Sequence, residues 1–231
     1  MSIQTQIVKP EITPTTTTTP QLSAYVANLG RYSEGELVGG WINLPASNQE
    51  IQTFLKGVVG LDEQYEAYSV QDYESIFTLE EFVDLYDLNM LAVKLESMLE
   101  REKSVAACYC MTNGIRHIID IVNICEQLSD LVYTHLDDVC VGSREERLGY
   151  LLVQETGLEA ELEQVQLSSG ISATDYFDYE RYGRDIVTND GYFAAEDLFI
   201  HYTSDLNEKL YTREGLIARL DDDRLTPTRE T

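Results

Sequence analysis

Basic residues are the scarcest resource in this chain of 231 residues: 16 Lys and Arg stand against 41 Asp and Glu, with only 3 His, for a formal charge of −25. Such a surface repels naked nucleic acid and anionic membranes and attracts a partner with a basic groove. Long apolar runs are missing as well. Nothing approaches the ~20 residues of a membrane span, and the first residues lack a basic-then-apolar export pattern. The expectation is a cytoplasmic protein that neither spans nor binds a membrane. Cysteine is sparse. Cys108, Cys110, Cys125 and Cys140 sit among apolar residues and read as reduced thiols in such a compartment.

The signatures of chemistry are also missing. The chain has no G-x-x-x-x-G-K-[ST], no G-x-S-x-G, no H-E-x-x-H and no calcium-loop pattern. Cys108 and Cys110 are two apart, not the three of a C-x-x-C, and His117 follows seven residues after Cys110. Packing of small apolar residues explains these cysteines better than a metal site does. The pairs and triplets Asp137–Asp138 and Asp221–Asp223 read as solvated turns and tails. No catalytic residue, metal site or cofactor is assigned, and an enzyme is not expected.

What the chain has is acid in stretches without base. Between Lys56 and Lys94 lie Asp62, Glu63, Glu66, Asp72, Glu74, Glu80, Glu81, Asp84 and Asp87. Between Arg147 and Arg181 lie Glu155, Glu159, Glu161, Glu163, Asp175, Asp178 and Glu180, and Asp185 follows Arg184. Acidity by itself can serve solubility. Disordered acidic tails, however, carry long like-charge blocks and few aromatics. Here the acids are dispersed among 15 Tyr, 6 Phe and 43% hydrophobic residues, which places the charge on folded structure.

Residues 1–22, with "ITPTTTTTPQ", read as a disordered Thr/Pro tail. Residues 23–76 read as a small α/β unit. "LSAYVANLG" and "ELVGGWINLP" are strands joined by "RYSEG", and Gly39–Gly40 marks a bulge or a close backbone contact. A helix follows from Ser47, capped by Glu50, and "YEAYSVQDYE" supplies a third strand. Residues 77–128 read as helical, with a Thr78–Glu81 capping box opening one long helix over "LEEFVDLYDLNMLAVKLESMLEREK". In that helix Leu79, Phe82, Val83, Tyr86 and Met90 share one face, and Glu80, Asp84 and Asp87 share the other. Residues 129–203 form a second α/β unit, with a helix from Ser143 to Gly157 boxed by Glu146, and 204–231 form a polar extension with one short helix.

Three stretches resemble one family. "YVANLGRYSEGELVGGWINLP" followed by "EAYSVQDYES" is similar to the amino-terminal domain of the ArdA antirestriction proteins; "LGYLLVQETGLEAELEQ" stands where their antirestriction motif stands; "YFDYERYGRDI" resembles their characteristic aromatic-acidic helix. The resemblance runs over about residues 23–202. It implies an α+β chain of three small domains in an elongated body, a homodimer, and a non-enzymatic mechanism. Such a protein imitates bent duplex DNA and fills the DNA groove of a type I restriction–modification enzyme. Two chains would carry ~82 carboxylates, the charge of ~41 base pairs at two phosphates each.

On this reading the partner-binding acids are Asp62, Glu63, Glu66, Asp72, Glu74, Glu80, Asp84, Asp87, Glu155, Glu159, Glu161, Glu163, Asp175, Asp178, Glu180 and Asp185. Tyr176, Phe177, Tyr179 and Tyr182 would pack inward while Arg181 and Arg184 pair with neighbouring acids. Leu148, Leu151 and Leu152 belong either to the intramolecular core or to a dimer contact. The rival reading is an acidic scaffold or regulatory protein that binds another basic host protein through one compact patch.

Overall fold

The computed structural model describes residues 22–136, 142–167, 170–202 and 206–225. It is a mixed α+β chain. β1 (Leu22–Asn28) is the central strand of an antiparallel sheet ordered β2-β1-β3, with β2 (Gly39–Leu44) and β3 (Tyr68–Glu74) on its flanks. A short helix α1 (Leu29–Ser33) and a turn replace the simple "RYSEG" turn expected between the first two strands. The β1–β2 register runs unbroken through Gly39 and Gly40. The glycines therefore answer close approach rather than a bulge: a Cβ on Gly39 would lie 2.3 Å from the Val26 carbonyl oxygen.

Helix α2 (Asn48–Gly57) begins where its capping box predicts. Ser47 Oγ accepts from the Glu50 amide at 3.2 Å and the Glu50 carboxylate accepts from the Ser47 amide at 2.8 Å. Ile51 and Leu55, one turn apart, go into the core.

The helical middle departs from its sequence reading. The Thr78–Glu81 box does not form, and residues 78–84 are irregular. Two bonds to groups outside the segment hold it off the helix: the Leu79 amide donates to the Tyr73 hydroxyl at 3.0 Å, and the Glu80 amide donates to the Arg116 carbonyl at 3.2 Å. Asp84 caps instead, accepting from Tyr86 and Asp87, so α3 spans Leu85–Glu96. Phe82, expected on the apolar face, is 84% exposed. The expected long helix also ends early. Its continuation is a separate helix α4 (Glu100–Asn113), started by the Glu102 carboxylate reaching back to the Leu99 amide. Gly114, left-handed at φ 70°, stops α4, and α5 (Ile118–Glu126) follows.

β4 (Tyr133–His135) joins a second antiparallel sheet ordered β4-β8-β7, with β7 (Gly191–Ala195) and β8 (Leu198–His201). α6 (Arg144–Glu155) starts at Ser143 as expected and ends before left-handed Gly157. The sequence reading did not anticipate α7 (Leu158–Gln164) or the small ladder of β5 (Gln166–Leu167) with β6 (Ile171–Ser172). α8 spans Tyr179–Asn189 and α9 spans Arg213–Leu220. Asp137–Asp138, Cys140 and the expected Thr/Pro tail lie outside the described residues, except that Leu22, placed in that tail, begins β1 and is fully buried in the core.

β8 forms a wall between two cores. Period-two alternation sends Leu198 and Ile200 into the main core, with β1, β2 and α2–α5. It sends Phe199 the other way, onto Leu136, Leu148 and Leu152. Complete burial of Phe199 is worth ~1.5–3 kcal/mol. This strand fixes the sheet that carries α6 and α8 to the rest of the main core.

Candidate functional site

The candidate surface is built from carboxylates, and each is held differently. Asp62 folds its own loop, accepting from the amides of Gln64 at 2.8 Å and Tyr65 at 2.9 Å. Glu63 and Glu66 are exposed on the same loop. Asp72 and Glu74 owe their outward direction to a bulge. Tyr25 pairs with Asp72 and Val26 with Val70, so Gln71 is the extra residue of β3. Tyr68 and Val70 pack on the core before it, and Tyr73 packs there after it. Without the extra residue Asp72 and Glu74 would share the inward face of Val70. Glu74 accepts from Ser23 Oγ at 3.0 Å.

The middle group is spent on structure to a greater degree. Glu80, Asp84 and Asp87 do not share a helix face, because residues 80–84 are not helical. Glu80 lies 3.7 Å from His117 Nε2, Asp84 is the α3 cap, and Asp87 bonds Arg213. Burial pushes the Asp87 carboxyl up, and Arg213 only partly offsets it. Arg213 is itself held above its usual value by Asp87, against its own burial. Loss of water therefore wins over the ion pair at Asp87, and the ion pair wins over loss of water at Arg213.

The third group surrounds α6, α7 and α8. Glu155 ends α6; Glu159, Glu161 and Glu163 alternate along α7; Asp175 precedes α8; Asp178 caps α8 by accepting from the Arg181 amide at 2.9 Å. Glu180 pairs with Arg184 at 3.0 Å, while Asp185 is exposed. Arg181 has no carboxylate within ion-pair distance among the described residues, so only Arg184 fulfils the expected pairing. Of all sixteen candidate acids, only Glu80, Asp87 and Glu159 are even half-buried.

Among the described residues, eight of the fourteen Lys and Arg pair with acids. Arg31 pairs with Glu36 at 3.2 Å, Lys94 with Glu126 at 2.7 Å, Lys103 with Glu100 at 2.7 Å, and Arg144 with Glu145 at 3.5 Å. Arg147 donates to the Leu136 carbonyl at 2.6 Å.

Two glycines that the sequence reading passed over make the scaffold of this third group. α6 and α8 cross so closely that a Cβ on Gly149 would lie 2.0 Å from the Tyr179 carbonyl oxygen, and one on Gly183 would lie 1.8 Å from that of Glu145. The stretches "LGYLLVQETG" and "YFDYERYGRD" thus form one unit. Leu148 and Leu152 are buried in its core and Leu151 packs half-buried against it. Phe177, Tyr179 and Tyr182 pack edge to face at 5.0–5.6 Å, and Tyr150 of α6 meets Tyr179 at 5.5 Å. Tyr176 is the exception to the inward expectation, at 69% exposed.

Among the described residues no three His, Cys, Asp or Glu side chains are grouped to hold a metal ion. Cys108, Cys110 and Cys125 are free thiols, and burial pushes all three up, Cys125 to about 12. They are protonated and unreactive near neutral pH. No helix among the described residues is long and apolar enough to cross a membrane.

Comparison with curated proteins gives no match. The family model for antirestriction protein (ArdA) matches residues 24–201, from within β1 to the end of β8, and so every candidate acid. With most of its length inside that match, the chain belongs to the ArdA family of antirestriction proteins, non-enzymatic inhibitors of type I restriction enzymes.

Proposed function

We propose that inhibition works by substitution of charge: exposed carboxylates stand in for duplex phosphates, occupy the DNA groove of the type I enzyme and exclude DNA. Restriction and modification would both be blocked, because both need that groove. One observation carries the reading. The candidate acids of the loop before β3, of β3 itself and of the α6–α8 unit lie on folded elements, all exposed but half-buried Glu159, and among the described residues only Arg184 pairs with one of them, Glu180. Elements that are already ordered lose little further entropy on binding, and release of counterions from the complex favours association as it does for DNA.

The reading includes a homodimer. Leu148 and Leu152 are committed to their own core, so the motif's share of such a contact falls to Leu151 and the exposed Tyr150.

The test is competition. Labelled DNA bound to the methyltransferase core of a type I enzyme is titrated with the protein at low salt. Displacement is expected, with an inhibition constant that weakens on the order of 10³-fold between ~50 and ~200 mM salt if about six phosphate contacts are replaced. Unchanged DNA affinity at a large excess of protein defeats the proposal.

A further inference from the structure

The outward face of the first sheet carries more than acid. Directly opposed residues of antiparallel strands share a face, and two such pairs meet at Tyr25 of β1: Trp41 of β2 stands on one side and Asp72 of β3 on the other. The next row is Asn43, Ser23 and Glu74, tied by the Ser23 hydroxyl donating to the Glu74 carboxylate at 3.0 Å. The core takes Ile42 and Leu44 from β2 and leaves the Trp41 indole 48% exposed, edge to face with the Tyr25 ring at 5.7 Å. Tryptophan is enriched where interfaces gain most of their energy. No lysine or arginine occurs in β1, β2 or β3. Among the described residues none pairs with Asp72 or Glu74 either.

Elsewhere the chain shows what a ring beside a carboxylate holds. Arg31 lies over the Tyr65 ring at 4.8 Å and pairs with Glu36 at 3.2 Å. Arg144 lies over the Phe193 ring at 4.4 Å and pairs with Glu145 at 3.5 Å. Arg219 lies over the Tyr211 ring at 4.5 Å and pairs with Glu126 at 2.9 Å. Each guanidinium sets its carbon over the ring and its N–H groups on the carboxylate, a division that a compact, strongly hydrated ammonium does not match. The row Trp41, Tyr25, Asp72 has the rings and the carboxylate and lacks the arginine. Its width fits one. Trp41 and Asp72 are two strands apart, ~10 Å between backbones, with half-buried Tyr25 as the floor. A cation up to ~6 Å from a ring centre and ~2.8 Å from a carboxylate oxygen spans about that distance.

We infer that the outward face of the β2-β1-β3 sheet is a docking site for an arginine side chain of the basic partner, its guanidinium over the Trp41–Tyr25 rings and its N–H groups on Asp72. Glu74, one row along, strengthens the field that draws the cation in. The site rests on the charge-substitution reading for its partner, though not for its chemistry. Duplex phosphates offer a cation charge alone. Here the rings add a contact that salt screens little and that selects arginine over lysine.

The chain's single tryptophan reports on its own site. The full chain is titrated at low salt with hexa-arginine and with hexa-lysine, equal in charge, following Trp41 emission alongside the heat of binding. Hexa-arginine should change Trp41 emission saturably and bind on the order of 2- to 5-fold more tightly than hexa-lysine. Trp41→Leu leaves every charge in place; it should lose most of that preference while holding hexa-lysine within about twofold of the parent. Trp41→Phe, a ring again, should keep part of the preference. Asp72→Asn should weaken both peptides by up to about fivefold. In the DNA competition Trp41→Leu should raise the inhibition constant on the order of 2- to 5-fold with an unchanged salt dependence, which no account by net charge predicts.

Equal affinity of the parent for the two peptides, a full arginine preference in Trp41→Leu, or no response of Trp41 emission to hexa-arginine overturns the site. Should Trp41→Leu fail to fold, the parent's emission and its comparison of the two peptides decide alone. A parent protein that does not displace DNA defeats the charge-substitution reading, while the peptide titrations still decide the arginine site.

Discussion

A methyl group is the smallest addition a side chain can make, and at Gly149 or Gly183 there is no room for it. The obstructing atoms are backbone carbonyls at 2.0 and 1.8 Å, which cannot rotate aside as a side chain would. Alanine improves helix propensity by up to ~1 kcal/mol, but here the helices must first move apart, and overpacking of this kind costs ~1–3 kcal/mol. Gly149→Ala and Gly183→Ala should therefore each lower the denaturant midpoint. Gly57→Ala in α2 has nothing within 4 Å of the added carbon and should leave the midpoint unchanged or raise it. Equal responses at all three positions would mean that the α6–α8 crossing is looser than described. The residues of this crossing were all visible in the sequence. Their partnership was not, because residues 149 and 183 are distant in the chain and nothing local in either helix calls for glycine.

At the scale of elements, local chemistry decided what could be read. Ser47 with Glu50 and Ser143 with Glu146 mark true helix starts, because each serine accepts an amide within its own first turn and no distant group competes. Thr78 with Glu81 has the same spelling and fails, since Tyr73 and Arg116 have already taken the backbone groups of Leu79 and Glu80. The β3 bulge was equally hidden: alternation in "YSVQDYE" cannot show that Gln71 is an extra residue. The acids were legible as a composition, and their exposure followed from it, but the division of labour among Glu80, Asp84 and Asp87 depended on tertiary contacts. Asp84→Ala should cost α3 its cap, ~0.5–2 kcal/mol, while Thr78→Ala should cost less than ~0.5 kcal/mol as a surface change. A thermal melt of the two variants separates the true helix start from the apparent one, and a larger loss at Thr78 would restore the longer helix.

For the whole molecule, charge acts in opposite directions on folding and on binding. A net charge of −25 crowded onto a folded chain repels itself, and the local ion pairs relieve only part of this. Adding sodium chloride from roughly 0.05 to 0.5 M shortens the screening length from ~14 to ~4 Å. Acids on separate loops and helices then cease to repel, whereas directly bonded pairs such as Lys94–Glu126, at 2.7 Å, lose less. The folded state should gain stability, seen as a rising Tm, over the same range in which affinity for the type I enzyme falls. Chloride is the proper salt for this measurement, because sulfate would strengthen apolar burial by exclusion and raise Tm for an unrelated reason. Parallel changes would contradict the argument: a Tm that falls with chloride means the ion pairs outweigh the repulsion. In that case the acids on the surface would already be compensated within the chain, and little negative field would be left for a basic groove to recognise.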